Sequence, residues 1–525
     1  MDHLRDRHYD YIVCGAGTTG CVVAARLADH GNARVLLIEA GNGHAGPEVV
    51  EPAQWPLNLG SERDWAFEGQ PNPHLNGRRL SLSMGKGLGG GSSINVMVWA
   101  RGHRSDWDHF AAESGDPAWG YESVLNYYRR IENWQGTPDA GRRGSGGPVH
   151  VEQPASPQPL AWATLEAASR LGIPRYDSAN GEMMEGPGGV ALTDLRIKDG
   201  KRESVYDSYI RPRLHYPNLT VLTGALVARV LLSGTRAIGV EVVIDGERHS
   251  FYADAEVILA MGAINTPKVL MQSGVGPEDE LRPHGIAPIH HLPGVGQNLQ
   301  DHIAFGCTWE YLQPQPVGAG GCETTLYWKS DSRLDAPDLL HCQLEFAVPA
   351  PAEVDIQPPQ HGWTMFAGLA RPASHGRVRL SGAGPLNAPL IEPNSLSAPE
   401  DMAAAFASID LCRALGNSEA FSGLIKREVA PGPKEHRAMQ QFIRNSAVTY
   451  WHQSCTAKMG RDEMSVVDHQ LRVYGIEQLR IADASIMPRI TLGNTMAPCV
   501  IIGERAADLI LAAQGVIATS TAPNE

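Results

Sequence analysis

Residues 9–39 constrain the fold more tightly than any other stretch of the chain. The run Tyr9-Asp10-Tyr11-Ile12-Val13-Cys14 predicts a short buried strand, and Gly15-Ala16-Gly17-Thr18-Thr19-Gly20 follows it as G-x-G-x-x-G. An Ala/Val-rich helix is expected from about Cys21 to Asp29, then a second strand from Ala33 to Ile38, ending in Glu39. Strand, glycine turn, helix, strand and acid in this register open a dinucleotide-binding βαβ unit. Gly15 permits the tight turn, Gly17 lets the main chain approach a pyrophosphate, and Gly20 lets helix and strand pack closely. The helix N-terminus offers free N–H groups and a positive dipole end to the phosphates. Glu39 can accept hydrogen bonds from a ribose and would repel a 2′-phosphate. The motif does not separate NAD from FAD.

A second glycine cluster runs Gly85-Lys86-Gly87-Leu88-Gly89-Gly90-Gly91-Ser92-Ser93-Ile94-Asn95. Gly/Ser runs are commonly flexible, but this one is bracketed by ordered-looking sequence. Ser92 or Ser93 is a natural N-cap for a short apolar helix through Val98. Glycines leading into a helix suit a main chain that lies flat against a phosphate or a planar ring. Near the other end, His452 lies in Tyr450-Trp451-His452-Gln453 and Asn494 in Leu492-Gly493-Asn494-Thr495-Met496-Ala497-Pro498. A base that takes a hydroxyl proton beside a hydride acceptor is the minimum machinery for oxidising an alcohol.

Composition excludes several other classes. A chain of 525 residues is long enough for two or three structural lobes. The formal charge of −14 argues against nucleic acid or an anionic membrane surface as partner. No apolar run approaches the roughly 18 residues of a transmembrane segment. The eight cysteines are scattered without a C-x-x-C, so neither a metal site nor a disulfide framework is expected. Buried thiols in a reducing compartment fit better, and the first strand follows a short polar head that leaves no room for a signal peptide. The expected location is cytoplasmic.

Four further segments carry a family resemblance. These are Gly262-Ala263-Ile264-Asn265-Thr266-Pro267 with Ser273-Gly274-Val275-Gly276, the loop from Leu292 to His302, and Arg480 to Pro488. With Gly85 to Asn95, they resemble the signatures of the glucose-methanol-choline (GMC) flavoprotein oxidoreductases from end to end. Ser114 to Tyr121 and Asp199 to Arg202 are most similar to the bacterial pyridoxine 4-oxidase type, then to choline-dehydrogenase-like members. Some members attach FAD through a histidine just before the asparagine of the first signature. That position is Ile94 here, so the resemblance implies non-covalent FAD.

The resemblance implies an α/β (overall α+β) fold of two interleaved lobes. A Rossmann-like FAD-binding lobe with a parallel sheet takes residues 8–155, 203–308 and 450–518. A substrate-binding lobe on a mixed or antiparallel sheet takes 156–202 and 309–449. The sequence is compatible: Ala255 to Ala260 reads as a buried strand running into Gly262. Arg377 to Ser381 alternates with period two, as in an exposed hairpin. Helices are expected from about Pro399 to Leu415 and from near Pro498, and the Ala/Ser/Thr tail after Gly515 is expected to fray.

By resemblance, the first loop contributes Gly15, Gly17, Thr18, Thr19 and Gly20 to the cofactor, followed by Glu39, Ala40 and Trp65. The second loop contributes Gly85, Gly90, Gly91, Ser92, Asn95, Val96, Met97 and Val98. Val227 and Gly262 come from the middle of the chain. Trp451, Asp483, Ala484, Asn494, Thr495 and Met496 come from its last part. His452 takes the base role and Asn494 a second hydrogen-bonding role, with hydride passing to flavin N5 and dioxygen or a quinone reoxidising the flavin. His302, beside Asp301, reads as a loop-fixing residue. Phe346, Trp363 and Met365 are candidates for a substrate cavity, although apolar strand residues are usually core. The function implied is oxidation of a small-molecule primary alcohol, aromatic or heteroaromatic, to its aldehyde. A choline-type dehydrogenase, a non-redox flavin lyase of the same family and a flavin-binding or electron-transfer module are the alternatives.

Overall fold

The dinucleotide motif sits within a seven-stranded sheet. In a computed structural model that describes residues 7–30, 33–43 and 46–515, the apolar runs His8–Cys14 and Val35–Ile38 pair in parallel. Leu219–Leu222 extends the sheet on one side and the long strand Glu247–Leu259 on the other. The free edge of that long strand is divided. Its first half pairs antiparallel with Arg236–Ile244, which pairs with Ala225–Ser233, and its last three residues pair in parallel with Leu479–Ile481. Strand order therefore reverses beside His8–Cys14, the place where an open parallel sheet leaves a crevice at its carboxyl ends.

The expected helix is Thr18–Ala28, beginning three residues earlier than its sequence suggested because the turn is so tight. A Cβ on Gly20 would stand 1.9 Å from the Gly15 carbonyl oxygen, so no larger residue closes it. The last helix, Met496–Ala513, packs against this one, and Thr19 Oγ1 donates to the Cys499 carbonyl at 3.1 Å.

The second sheet also has seven strands, all antiparallel among the described residues. Its centre is Ile303–Tyr311, Gly362–Leu369, Leu339–Leu344 and Thr324–Trp328. Gly189–Leu192 and Ile425–Ala430 flank these, and Ala447–Thr449 pairs with the first half of Ile303–Tyr311. Pro399–Gly416 covers one face, where Trp363 stacks between Trp309 and Phe421 at centroid distances of 4.4 and 5.2 Å. Such aromatic stacks are worth about 0.5–1.5 kcal/mol each beyond their buried area. The chain is thus α/β in one lobe and antiparallel in the other. Arg377–Arg379 forms its hairpin with Leu390–Glu392, burying Val378 between more exposed arginines.

One expected helix does not form. After a single turn at Gly90–Ser93 the chain becomes irregular instead of continuing through Val98. Asn95 Oδ1 accepts the Met97 N–H at 2.9 Å, an Asx turn that competes with the helix. Met97 takes φ 61° and Val98 then bridges to Leu195. Ser92 and Ser93 donate back to the Gly89 and Leu88 carbonyls instead of capping. The tail beyond Gly515 lies outside the described residues.

Candidate active site

A cavity of about 480 Å³ opens at the carboxyl ends of the parallel strands and is closed on its far side by the antiparallel sheet. Glu39 organises its first end. Oε2 accepts from Ala16 N at 3.0 Å; Oε1 accepts from Gly41 N at 2.8 Å and Gly87 N at 3.0 Å. One carboxylate thereby holds both glycine loops, and the Gly89 N–H to Ala16 carbonyl bond of 2.7 Å adds a direct tie. Burial pushes the Glu39 carboxyl up to about 7, against the pull of these N–H donors. A carboxylate has about four lone-pair sites, so capacity remains for a ribose hydroxyl. Where the loops cross, a Cβ on Gly90, at φ 51°, would lie 2.7 Å from the Gly17 Cα.

Two helix N-termini face this space without side-chain caps, at Gly17 and at Thr495. Free N–H groups and dipole ends of this kind suit an anionic, extended ligand. Asp483 fixes the floor between them: Oδ2 accepts from Gly262 N at 2.9 Å and Thr266 Oγ1 at 2.6 Å, and Oδ1 from Ser485 N at 2.8 Å. The long cavity, the uncapped termini and the glycine cradle fit FAD.

His452 lies on the cavity wall, 8% exposed, within a loop held by Asp301. Asp301 accepts from His452 N and from Gln453 Nε2, both at 2.8 Å, and from the Thr449 hydroxyl. The imidazole has a partner on each nitrogen. Its Nε2 is 3.2 Å from Asn494 Nδ2, and its Nδ1 is 2.9 Å from His302 Nδ1. With the Asn494 amide donating, Nε2 carries the lone pair and Nδ1–H donates to His302. Burial, and then the charge His302 would carry, holds His452 well below the ordinary histidine range. His302 itself is pushed down to about 4, chiefly by burial. Both rings are thereby held neutral at neutral pH, and His452 keeps an unprotonated ring nitrogen on the cavity side. Tyr450 stacks parallel to His452 at 5.8 Å, its hydroxyl donating to the Phe366 carbonyl at 2.9 Å. Behind Asn494, Asp106 accepts the Leu492 N–H at 2.8 Å and anchors that loop.

Most of the sequence candidates meet here. Gly15, Gly17, Thr18, Thr19, Glu39, Ala40, Trp65, Gly85, Gly90, Gly91, Ser92, Asn95, Val96 and Val98 line the cavity. So do Val227, Gly262, Trp451, His452, Asp483, Ala484, Asn494, Thr495 and Met496. Two do not. Gly20 serves the turn beneath, and the Asx turn sends Met97 into a buried cluster with Leu195 and Ile197. Of the substrate candidates, Phe346 lines the cavity, whereas Trp363 and Met365 belong to the core of the antiparallel lobe. His302, expected only to fix a loop, contacts the His452 imidazole directly.

Sequence reasoning missed Trp55, Leu344, Val348, Phe366 and Tyr450 on the wall. Only Tyr450 carried a signal, through its adjacency to Trp451 and His452. The others are single apolar residues in strands or irregular segments, indistinguishable in sequence from core.

Profiles described as GMC oxidoreductase match residues 9–304 and 372–503. An oxygen-dependent choline dehydrogenase of Brucella anthropi is 35% identical, with 96% of this chain and 95% of that protein aligned. The mitochondrial choline dehydrogenase of Mus musculus is 36% identical over 96% of this chain and 89% of its own length. Among solved structures, pyridoxine 4-oxidase from Mesorbium loti superposes with a TM-score of 0.89 at 32% identity, covering 95% of this chain and 98% of that one. On the strength of both profiles and of these full-length relatives, the chain belongs to the GMC oxidoreductase family.

Proposed function

We propose that the protein oxidises a neutral, aromatic or heteroaromatic primary alcohol to its aldehyde, with non-covalent FAD and dioxygen or a quinone as final acceptor. The observation that carries this reading is the pairing of a buried, neutral His452 with Asn494 at 3.2 Å on the wall of an FAD-sized cavity. FAD, when bound, supplies the hydride acceptor. His452 Nε2 takes the hydroxyl proton, and the Asn494 amide donates to the substrate oxygen and orients it. His302 holds the imidazole in the tautomer that keeps the lone pair on Nε2. A positioned base contributes roughly 10² to 10⁴-fold. Ile94 lines the cavity and cannot bond to a flavin, which supports non-covalent attachment.

Choline is the second reading, favoured by the names of the relatives. The wall argues against it. A quaternary ammonium wants an aromatic cage and a counter-charge; Trp55, Phe346, Phe366 and Tyr450 supply rings, but among the described residues the wall offers no free carboxylate beside them. The two carboxylates lining the cavity, Glu39 and Asp483, are both engaged with main-chain N–H groups. Anaerobic mixing with a panel of benzylic, pyridyl and aliphatic alcohols and choline tests the proposal. Rapid bleaching of the flavin by the aromatic members supports it; bleaching by choline alone overturns the substrate class. No bleaching by any alcohol overturns the redox reading in favour of a lyase or a binding module.

A further inference from the structure

Two of the eight cysteines form a pair at the substrate end of the cavity. Cys342 lies in the strand Leu339–Leu344, half-buried, and lines the cavity wall. Cys322 ends the turn Ala319–Gly321 and is 1% exposed. Their Sγ atoms are 3.1 Å apart, and a disulfide of about 2.05 Å needs only about 1 Å of closure. The turn is coupled to the wall on both sides. The Gly320 carbonyl accepts from Trp55 Nε1 at 3.1 Å, and the Gly321 carbonyl from Glu345 N at 3.1 Å, next to Phe346. A Cβ on Gly321 would lie 2.9 Å from the Phe346 ring, so these parts have little room to shift independently.

We propose that Cys322 and Cys342 form a reversible disulfide, made by a hydroperoxide entering through the cavity, that tightens the wall and weakens alcohol binding. The Cys342 sulfur attacks one peroxide oxygen; an S–O bond forms, the O–O bond breaks, and with hydrogen peroxide the departing oxygen leaves as water. The Cys322 sulfur then attacks the sulfenic sulfur; the S–S bond forms, the S–O bond breaks, and a second water leaves with the thiol proton. Two thiols lose two electrons in total and one peroxide gains them. The hydrogen bond with Cys342, and then burial, hold the Cys322 thiol well above its ordinary range. Cys342, facing the cavity, is therefore the first to react and Cys322 resolves it.

The test treats the FAD-loaded enzyme with hydrogen peroxide, then with dithiothreitol. Expected are the loss of two titratable thiols in the denatured protein, a Cys322–Cys342 cross-linked peptide and a KM for alcohol raised about tenfold. The last figure is the worth of about one methylene of space in an apolar pocket. Dithiothreitol should reverse all three. Cys322→Ser should keep the starting KM and show none of the changes. A cross-link joining the core residues Cys307 and Cys412 instead, oxygen added to Cys342 without a cross-link, or the cross-link with unchanged KM each overturns the proposal. The thiol readouts are independent of which alcohol is the substrate, so their failure is distinct from failure of the proposed reaction.

Discussion

At the glycine end of the cavity the wall is main chain: Gly17, Gly90 and Gly91 present backbone, and Glu39 spends three of its acceptor sites on N–H groups. At the opposite end the wall is side chain: Leu344 and Phe366 from one sheet, Phe346 from the bend just past the strand Leu339–Leu344, and Trp55 from a separate segment. The first surface tolerates almost no substitution, because a Cβ at Gly90 collides with the Gly17 backbone. The second needs only apolar bulk of about the right size, which many residues supply. A family can therefore keep one cofactor while its substrates diverge.

The largest expected effect breaks the first surface in two distinguishable ways. Gly90→Val adds a branched side chain at φ 51° against Gly17, so the loops cannot cross. That variant should purify without flavin and with a lowered Tm. At Gly91, which lines the cavity, a Cβ meets no protein atom within 4 Å. Gly91→Val should keep the Tm of the flavin-free protein yet lose most bound FAD, read from the flavin absorbance of the purified protein. Equal thermal losses in both would mean that the glycines serve folding alone. The wild-type protein should release FAD into the supernatant on acid precipitation.

His452→Ala should retain FAD and lose at least roughly 100-fold in alcohol-driven flavin reduction. A loss within about threefold would remove the base role altogether.

How much of this was legible follows the same division. Gly15 and Gly20 were readable because sterics leave one residue type for each task, whereas Glu39, read as a ribose acceptor, also ties the two glycine loops through main-chain N–H groups, which its motif does not signal. The pairing of His452 with Asn494 was readable through family motifs, though not their 3.2 Å contact. The turn at Asn95 was not foreseen, since a side-chain acceptor two residues back outcompetes the helix for which Ser92 and Ser93 are natural caps. Trp363 and Phe346 look alike in sequence, and only the fold sends Trp363, within a strand, to the core and Phe346, in the bend after another strand, to the cavity.

Asn494→Ala should cost about tenfold, the worth of one hydrogen bond to a developing charge. Its pH dependence sharpens the assignment. Burial and His302 lower the His452 pKa, so the imidazole stays neutral until the pH falls well below about 6.5. Flavin reduction should therefore be flat near neutrality and decline only in acid, as protonated His452 ceases to accept the hydroxyl proton. Asn494→Ala should keep that acid limb, because an amide does not titrate there, whereas His452→Ala should abolish it. An acid limb that disappears with Asn494 and persists without His452 would reverse the two roles.

The smallest effect belongs to the side-chain surface. Phe346 is partly buried, lies 6.5 Å from the Trp55 ring and touches neither His452 nor the glycine loops by any hydrogen bond. Phe346→Ala should leave FAD content and the acid limb unchanged, because neither the cradle nor the base depends on that ring. It should raise KM for an aromatic alcohol by about two- to tenfold, the range that 0.5–1.5 kcal/mol of aromatic contact converts to. A small aliphatic alcohol, which gains little from the ring, should be affected less, so the ratio of kcat/KM between the two substrates is the sensitive measurement. If the variant instead lost flavin, or lowered kcat for both alcohols equally, the ring would be supporting the cofactor or the transition state. The separation of a main-chain cofactor surface from a side-chain substrate surface would then fail at its weakest point.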